Sequence, residues 1–421
     1  QHRFVIPDGC HWQEVRERTE NLGAAIVGAM RQIEIANPDT LYGVLSMFSS
    51  QKWTNKAILN DSKIRDLIEH LSKRELGNKD YPADLMGDAY EILLKKFADD
   101  SKAQAGEFYT PRSVVRLLVH ILDPQPGETI YDPACGSGGM LIEAIRYMHD
   151  DFLCCGSIFG QEKNVVNAAI AKMNLFLHGA SDFNVMQGDT LRDPKILQGG
   201  NIAKFDCVIA NPPFSLENWG ATEWSSDKYK RNIYGTPSDS CGDYAWIQHM
   251  ICSMVSGQGR MAVVMPQGIL FRNQETEIRK QLVESDLIEA VVTLGDKLFY
   301  GTGLSPCFLI IRRMKPAHHF GRILMIDGSK ILTQKRAQNI LEENDIDRLY
   351  SLYQNYSDEE DYSRIVTLQE IRDKEYNLSP NRYVVYHKEE IRPYAEVLAE
   401  FKHAYEEVKR LEEEFSLLIN A

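Results

Sequence analysis

The sequence predicts an α/β fold built on an open, mainly parallel sheet, with an all-α region before it and a helical tail after it. Three observations carry this. A glycine-rich turn, Asp132–Gly139, joins a strand-like run to a helix-like one. Short apolar runs alternate with amphipathic stretches through the middle of the chain, the pattern of βαβ units. Successive runs end at acidic residues, and open α/β sheets bind ligands at strand carboxyl ends.

The elements follow in order. Trp12, Val15, Leu22, Ile26, Met30 and Ile33 lie near helical spacing, as do Ile64, Leu67, Ile68 and Leu71. Asp84–Phe97 reads as a further helix, with Leu85, Ala89, Ile92, Leu93 and Phe97 on its apolar side. A helical N-terminal domain is therefore expected over 1–100, and Asp99–Gly106 reads as a linker. Thr110 and Pro111 suit an N-cap and first-turn pair opening a helix Ser113–Leu122. A central domain over 101–335 continues with strands Glu128–Tyr131, Ser157–Glu162, Phe183–Gln187 and Phe205–Ala210. The polar stretch Ser215–Asp243 is long for a simple connection, which marks it as functional. A helix Tyr244–Val255, a strand Met261–Pro266, a helix Glu275–Val283 and strands Ile288–Leu294 and Cys307–Ile311 complete seven strands. The region 336–421 ends in a helix whose Ile391, Tyr394, Leu398, Phe401, Tyr405 and Val408 step by three and four. Leu411, Phe415 and Leu418 continue the seam after a slip, so the helix either folds back on the chain or docks on a partner.

Two segments carry chemistry. Asn211-Pro212-Pro213-Phe214 leaves the fourth strand. Two prolines stiffen the backbone and remove its N–H donors. The Asn211 side-chain oxygen and the Pro212 carbonyl can then accept from one planar NH2, while Phe214 offers a flat face to the ring bearing it. Upstream, Asp132-Pro133-Ala134-Cys135-Gly136-Ser137-Gly138-Gly139 forms a strand, glycine turn and helix start. The pattern is neither G-x-G-x-x-G nor a P-loop, and its leading acid would repel a pyrophosphate. It suits a ligand with an ammonium group, such as the methionine end of S-adenosylmethionine. Glu162, at the end of the second strand, suits ribose hydroxyls; Asp189, after the third, suits an adenine amine.

This series resembles the S-adenosylmethionine-dependent amino-methyltransferases of DNA. With Gly106-Glu107-Phe108-Tyr109-Thr110-Pro111-Arg112 ahead of the glycine turn, it resembles the modification (M) subunits of type I restriction-modification systems. Gly259–Pro266 and Asn377–Tyr383 fit the same family. The resemblance implies a Rossmann-like seven-stranded methyltransferase sheet, with Glu107, Phe108, Tyr109 and Thr110 closing over the cofactor. It implies methyl transfer to N6 of a flipped-out adenine in double-stranded DNA, catalysed through Asn211, Pro212, Pro213 and Phe214 without a metal. It also implies a specificity (S) subunit docked on the C-terminal helix, two copies of this chain per S subunit, and a place for a restriction (R) subunit. One departure is Gly295-Asp296, where a Leu-Pro pair is expected. The tetrapeptide alone leaves open a protein glutamine or an RNA guanine as substrate, or an inactive scaffold.

The chain's 421 residues, 43% hydrophobic and 25% charged, suit a soluble protein of two or three domains. It opens on Gln1, so its natural start is expected upstream. No secretory pattern or membrane-length apolar run is present, and the eight cysteines include no C-x-x-C pair, so the expected compartment is the cytoplasm. Adjacent Cys154 and Cys155 read as core residues, and His318-His319 as an exposed loop. A net charge of −13 is unusual for a protein that grips DNA alone, which places most sequence reading on another subunit. Local basic clusters are Lys228–Arg231, Arg312 to Lys315 and Lys335-Arg336; the first lies close enough to the tetrapeptide to reach phosphate.

Overall fold

Val, Ile, Leu and Met dominate the longer strands, which are buried on both faces, so they pair into one large sheet rather than a half-solvated one. The computed structural model describes residues 4–41, 43–45, 51–74, 110–148, 157–180, 182–299, 305–336, 338–387 and 394–419, with a few positions between 85 and 93. It divides into two compact units, Gln1–Val384 and Val385–Ala421.

The strands of the first unit are β1 (Ile130–Asp132), β2 (Ile158–Glu162), β3 (Phe183–Gln187), a small hairpin of β4 (Leu197–Gln198) and β5 (Asn201–Ile202), β6 (Cys207–Ala210), β7 (Arg260–Pro266), β8 (Ile288–Leu294), β9 (Pro306–Arg312), β10 (Arg322–Gly328) and β11 (Ser363–Thr367). The large sheet has the order β11-β10-β8-β9-β7-β6-β1-β2-β3. From β3 to β7 neighbours are parallel; β9 is antiparallel to both β7 and β8; β10 is parallel to β8 and β11 antiparallel to β10. All seven expected strands are present, but the sheet has nine. The two additions extend it beyond β8. β10 carries a readable apolar run, Ile323–Ile326, whereas edge strand β11 leaves only Ile365-Val366 as a signal. The sheet therefore draws a strand from beyond residue 335.

Side chains alternate across the sheet as the strand period requires. Cys207 and Ile209 of β6 join one core layer; Val208 and Ala210 join the other. The first layer lies under helices Arg112–Leu122, Gly139–Met148, Val165–Leu177 and Glu343–Asn355, the second under Asp243–Ser253 and Thr276–Glu284. Arg260 at the start of β7 grips both Glu128 carboxylate oxygens and the Leu122 carbonyl. That fixes the carboxyl end of the helix Arg112–Leu122 at the amino edge of the sheet. Eleven residues of helix span about 16 Å, so the helix start reaches back toward the carboxyl edge of β6 and β7. The expected N-cap is corrected by one position: Pro111 caps, the helix begins at Arg112, and Thr110 is left for another task.

Near the N-terminus the run from Trp12 to Ile33 is two helices, Trp12–Arg16 and Leu22–Ala36, because Asn21 adopts a left-handed φ of 53°. The Asp61 carboxylate accepts from Asn21 and Leu22 N–H and caps the second helix from Asp61–Leu71. Leu22, Ile64 and Ile68 form the small core between them. Most of Asp84–Phe97, all of Asp99–Gly106, and Cys154-Cys155 lie outside the described residues. The second unit is the helix Tyr394–Ile419, on which Val397, Phe401, Tyr405, Val408, Leu411 and Phe415 are all exposed. Among the described residues no helix is long and apolar enough to cross a membrane.

Candidate active site

The parallel strands β2, β1 and β6 end side by side, about 4.8 Å apart as parallel neighbours are. Their carboxyl ends deliver Glu162, Asp132 and Asn211 to one edge. After β1 the chain turns through Gly136 and Gly138, both at positive φ (52° and 83°), a backbone that side chains other than glycine adopt with strain. A Cβ on Gly136 would meet nothing within 4 Å, so open space lies beside the turn. At Gly160 of β2 the reason is packing: a Cβ there would stand 3.0 Å from Cys135 Sγ. Ser137 O accepts from Asn174 Nδ2 (3.1 Å) and Pro133 O from buried Thr190 Oγ1 (2.6 Å), which pin the turn from two sides.

Asp132 is 2% exposed, and Ala134 N–H donates to it at 2.9 Å. Burial pushes its carboxyl up to about 8, with the Glu162 charge adding to the effect. Glu162 accepts from Gly136 N–H (3.0 Å) and Asn164 N–H (2.7 Å), yet burial still raises it. The structure thus brings two acids of the predicted set together, and among the described residues no cation pairs with Asp132. A ligand carrying positive charge is what such a pair lacks. Asp189 joins less directly. It caps its own turn through Leu191 N–H and pairs with Lys163 at 2.9 Å, the residue after Glu162. Its carboxylate is largely committed to protein partners. The residues present therefore fit an ammonium-bearing cofactor at Asp132 and Glu162.

Asn211 supplies the other half. Its Nδ2 donates to Thr110 Oγ1 at 2.9 Å, across 101 residues of sequence. Its Oδ1 is buried and has no hydrogen-bond partner among the described residues. Buried polar atoms are nearly always paired, so a lone acceptor at a ligand-binding edge marks a place for a donor. Pro212 is buried, Pro213 exposed, and Phe214 half-buried against Phe299, with ring centroids 6.2 Å apart. Glu107, Phe108 and Tyr109 lie outside the described residues. Sequence reasoning placed Thr110 in the cofactor segment but missed its bond to Asn211; no local signal announces a contact between segments so far apart.

Other expectations need correction. Arg231 is not a phosphate contact. It is 1% exposed, pairs with Asp227, donates to Thr190 O and Leu191 O, and lies over the Trp224 ring. It stitches the long Ser215–Asp243 segment to the turn after β3; only Lys228 and Lys230 of that cluster are exposed. Arg312 pairs with Glu289 and buried Lys315 with Asp286. His319 is also buried, its Nδ1 3.1 Å from the Glu289 carboxylate and its ring stacked on Tyr356. Gly295, the departure from the expected Leu-Pro, is dictated by a close approach: a Cβ there would stand 2.9 Å from Ser329 O.

Known proteins place the chain in a family. The family model for N-6 DNA methylases matches residues 81–391. The methylase subunit of the type I restriction enzyme MjaVII from Methanocaldococcus jannaschii is 35% identical, over 96% of this chain and 70% of that subunit. The HindI methylase subunit of Haemophilus influenzae is 31% identical, over 83% of this chain and 76% of its own. In three dimensions, the type I restriction-modification methyltransferase subunit from Streptococcus thermophilus superposes with a TM-score of 0.79 at 27% identity, covering 90% of this chain and 81% of its own. With its glycine turn, strand-end acids and Asn-Pro-Pro-Phe loop in the arrangement described, the chain belongs to the N-6 DNA methylase family, among the methylase subunits of type I restriction enzymes.

Proposed function

We propose that this chain methylates N6 of an adenine flipped out of duplex DNA, with Asn211–Phe214 holding the base. The observation that carries the reading is Asn211 Oδ1, a buried acceptor without a donor among the described residues, on an amide whose other end Thr110 holds. An exocyclic amine is the group it lacks. S-adenosylmethionine, when bound, supplies a methyl group on a sulfonium leaving group. Asp132 and Glu162 would hold it, the first toward its ammonium and the second toward its ribose hydroxyls, beside Gly136, Ser137, Gly138 and Gly139 of the turn. Asp189 would reach its adenine amine, and Glu107–Tyr109 would cover it.

The chain's own part is to bind and orient. Asn211 Oδ1 and the Pro212 carbonyl accept from N6 and leave the nitrogen lone pair directed at the methyl group. Phe214 stacks on the extruded ring, an effect worth about 1–3 kcal/mol per base. Extrusion is required because the target atom is unreachable inside a stacked duplex. Positioning of this kind accounts for most of the acceleration expected with so reactive a methyl donor.

The acidic balance, with Arg231, Arg312 and Lys315 tied up inside the fold, argues against DNA being gripped by this chain alone. Sequence reading therefore falls to a specificity subunit, and the exposed apolar face of Tyr394–Ile419 is its docking surface, with two copies of this chain per specificity subunit. We divide the chain into a helical domain over 1–100, a catalytic domain from 101 to 335, and a C-terminal region over 336–421 whose β11 completes the sheet. The compartment is the cytoplasm. The test is radiolabel transfer from S-adenosylmethionine to DNA, with and without the specificity subunit, comparing wild type with Asn211→Ala. Label on adenine N6, dependent on the partner and on Asn211, is expected. Label on RNA or protein instead, or undiminished transfer by Asn211→Ala, would overturn it.

A further inference from the structure

Ser215, the residue immediately after the catalytic tetrapeptide, has φ +50°, the left-handed region that side chains avoid. Nothing local favours that turn: the residue is neither Gly nor Asn. What holds it comes from far along the chain. Ser215 N–H donates to Asp243 Oδ1 at 2.7 Å. Asp243, wholly buried at the first turn of the helix Asp243–Ser253, pairs through Oδ2 with Arg272 Nη1 at 2.7 Å. Arg272 Nη2 reaches back to Ser215 Oγ at 3.3 Å, which closes the ring. Gly242 N–H donates to Leu216 O at 3.0 Å and secures the next residue too.

The other end of the ring is anchored in the fold. The Arg272 carbonyl accepts from Arg279 Nη1 at 2.9 Å, and Arg279, 2% exposed, donates through Nε to Tyr376 O at 2.7 Å. Asp243 lies at a helix start, where the unpaired N–H groups favour a carboxylate. Arg272 neutralises it, and the helix after Asn273–Glu275 keeps Arg272 in place.

We propose that Asp243 and Arg272 are positioning residues for methyl transfer: together they clamp Ser215 and so aim the Asn211–Phe214 loop at the flipped base. Neither touches the reacting atoms; they act through the backbone that leaves Phe214. The inference rests on the assignment of Asn211–Phe214 as the base-holding loop. A loop released from this clamp swings its acceptor off line, and a misplacement of about 1 Å lowers rate by about 100-fold.

The experiment measures single-turnover adenine methylation by the full chain with its specificity subunit, for wild type, Asp243→Asn, Arg272→Gln and Arg272→Lys. Thermal midpoints and S-adenosylmethionine affinities are recorded for each. Asp243→Asn keeps an acceptor for Ser215 but weakens the pair to Arg272. Arg272→Gln keeps Asp243 intact, so it serves if the first variant fails to fold. The expected result is a ten- to hundred-fold fall in the chemical step for Asp243→Asn and Arg272→Gln, partial rescue by Arg272→Lys, and cofactor affinity within two-fold of wild type. Asp243→Asn/Arg272→Gln together should cost no more than the worse single change. Full activity in Arg272→Gln, or a loss matched by lost cofactor binding, would overturn the clamp. If wild type itself fails to methylate adenine, it is the assignment of the loop that fails.

Discussion

Cofactor binding should release a proton from Asp132. In the free chain burial holds its carboxyl up to about 8. At pH 7 it is therefore about 0.9 protonated, a ratio of ten to one. An opposite charge within reach lowers a carboxyl by about 1–3 units. With an ammonium beside it, Asp132 falls to between about 7 and 5, and its protonated fraction at pH 7 to between about 0.5 and 0.01. Binding should then release about 0.4–0.9 proton per site. The assay is calorimetric titration of S-adenosylmethionine at pH 7 in buffers of different ionisation enthalpy, whose slope counts the protons. The pH is kept at or below 7 because the ligand's own amine titrates near 8. The linkage has a definite sign. A carboxyl raised in the folded state costs nothing below its ordinary value of 3.8 and its full amount above about 8, so stability of the free chain falls across that window. Cofactor affinity should rise with pH between the bound value, about 5–7, and the free value of about 8. A slope of zero in wild type, or an equal slope in Asp132→Asn, would refute the placement of the ammonium at Asp132.

Three further outcomes follow from the geometry. Thr110→Val removes the acceptor for Asn211 Nδ2, which costs about 1–3 kcal/mol when left unpaired; transfer should fall about 5- to 150-fold, Thr110→Ser should stay near wild type, and equal rates in both would show that the bond does not orient Asn211. Glu275 is 2% exposed and burial raises its carboxyl to about 7, so it destabilises the fold above that pH and not below its ordinary value; melting curves should show Glu275→Gln gaining on wild type between pH 5 and 8.5, and parallel profiles would contradict this. A chain ending at Val384 keeps the whole sheet and should bind S-adenosylmethionine as the full chain does, while failing to co-purify with the specificity subunit; co-purification of that truncation would show that docking lies elsewhere.

Short-range patterns in the sequence encode much of this protein. Strand ends at Asp132, Glu162 and Asn211, the glycine turn, and seven of the nine strands were legible because apolar period, glycine placement and the order of acids are local signals. Strand boundaries followed to within a residue or two, as at Phe183–Gln187 and Ile288–Leu294. The tail helix was legible for the same reason. Tertiary structure decided what depends on pairs far apart in the chain. Thr110 meets Asn211 across 101 residues and Arg272 meets Ser215 across 57, and no pattern in either segment announces its partner. Arg231 and His319 looked like surface residues because charge implies solvent; each is buried because a carboxylate, Asp227 or Glu289, was brought to it. Edge strand β11 was missed because a strand paired on one side needs little apolar sequence, and only its neighbour β10 makes it a strand. What the fold adds is the company each residue keeps: among the described residues it leaves Asn211 Oδ1 as a buried acceptor without a donor, a property of the surroundings that no single residue carries.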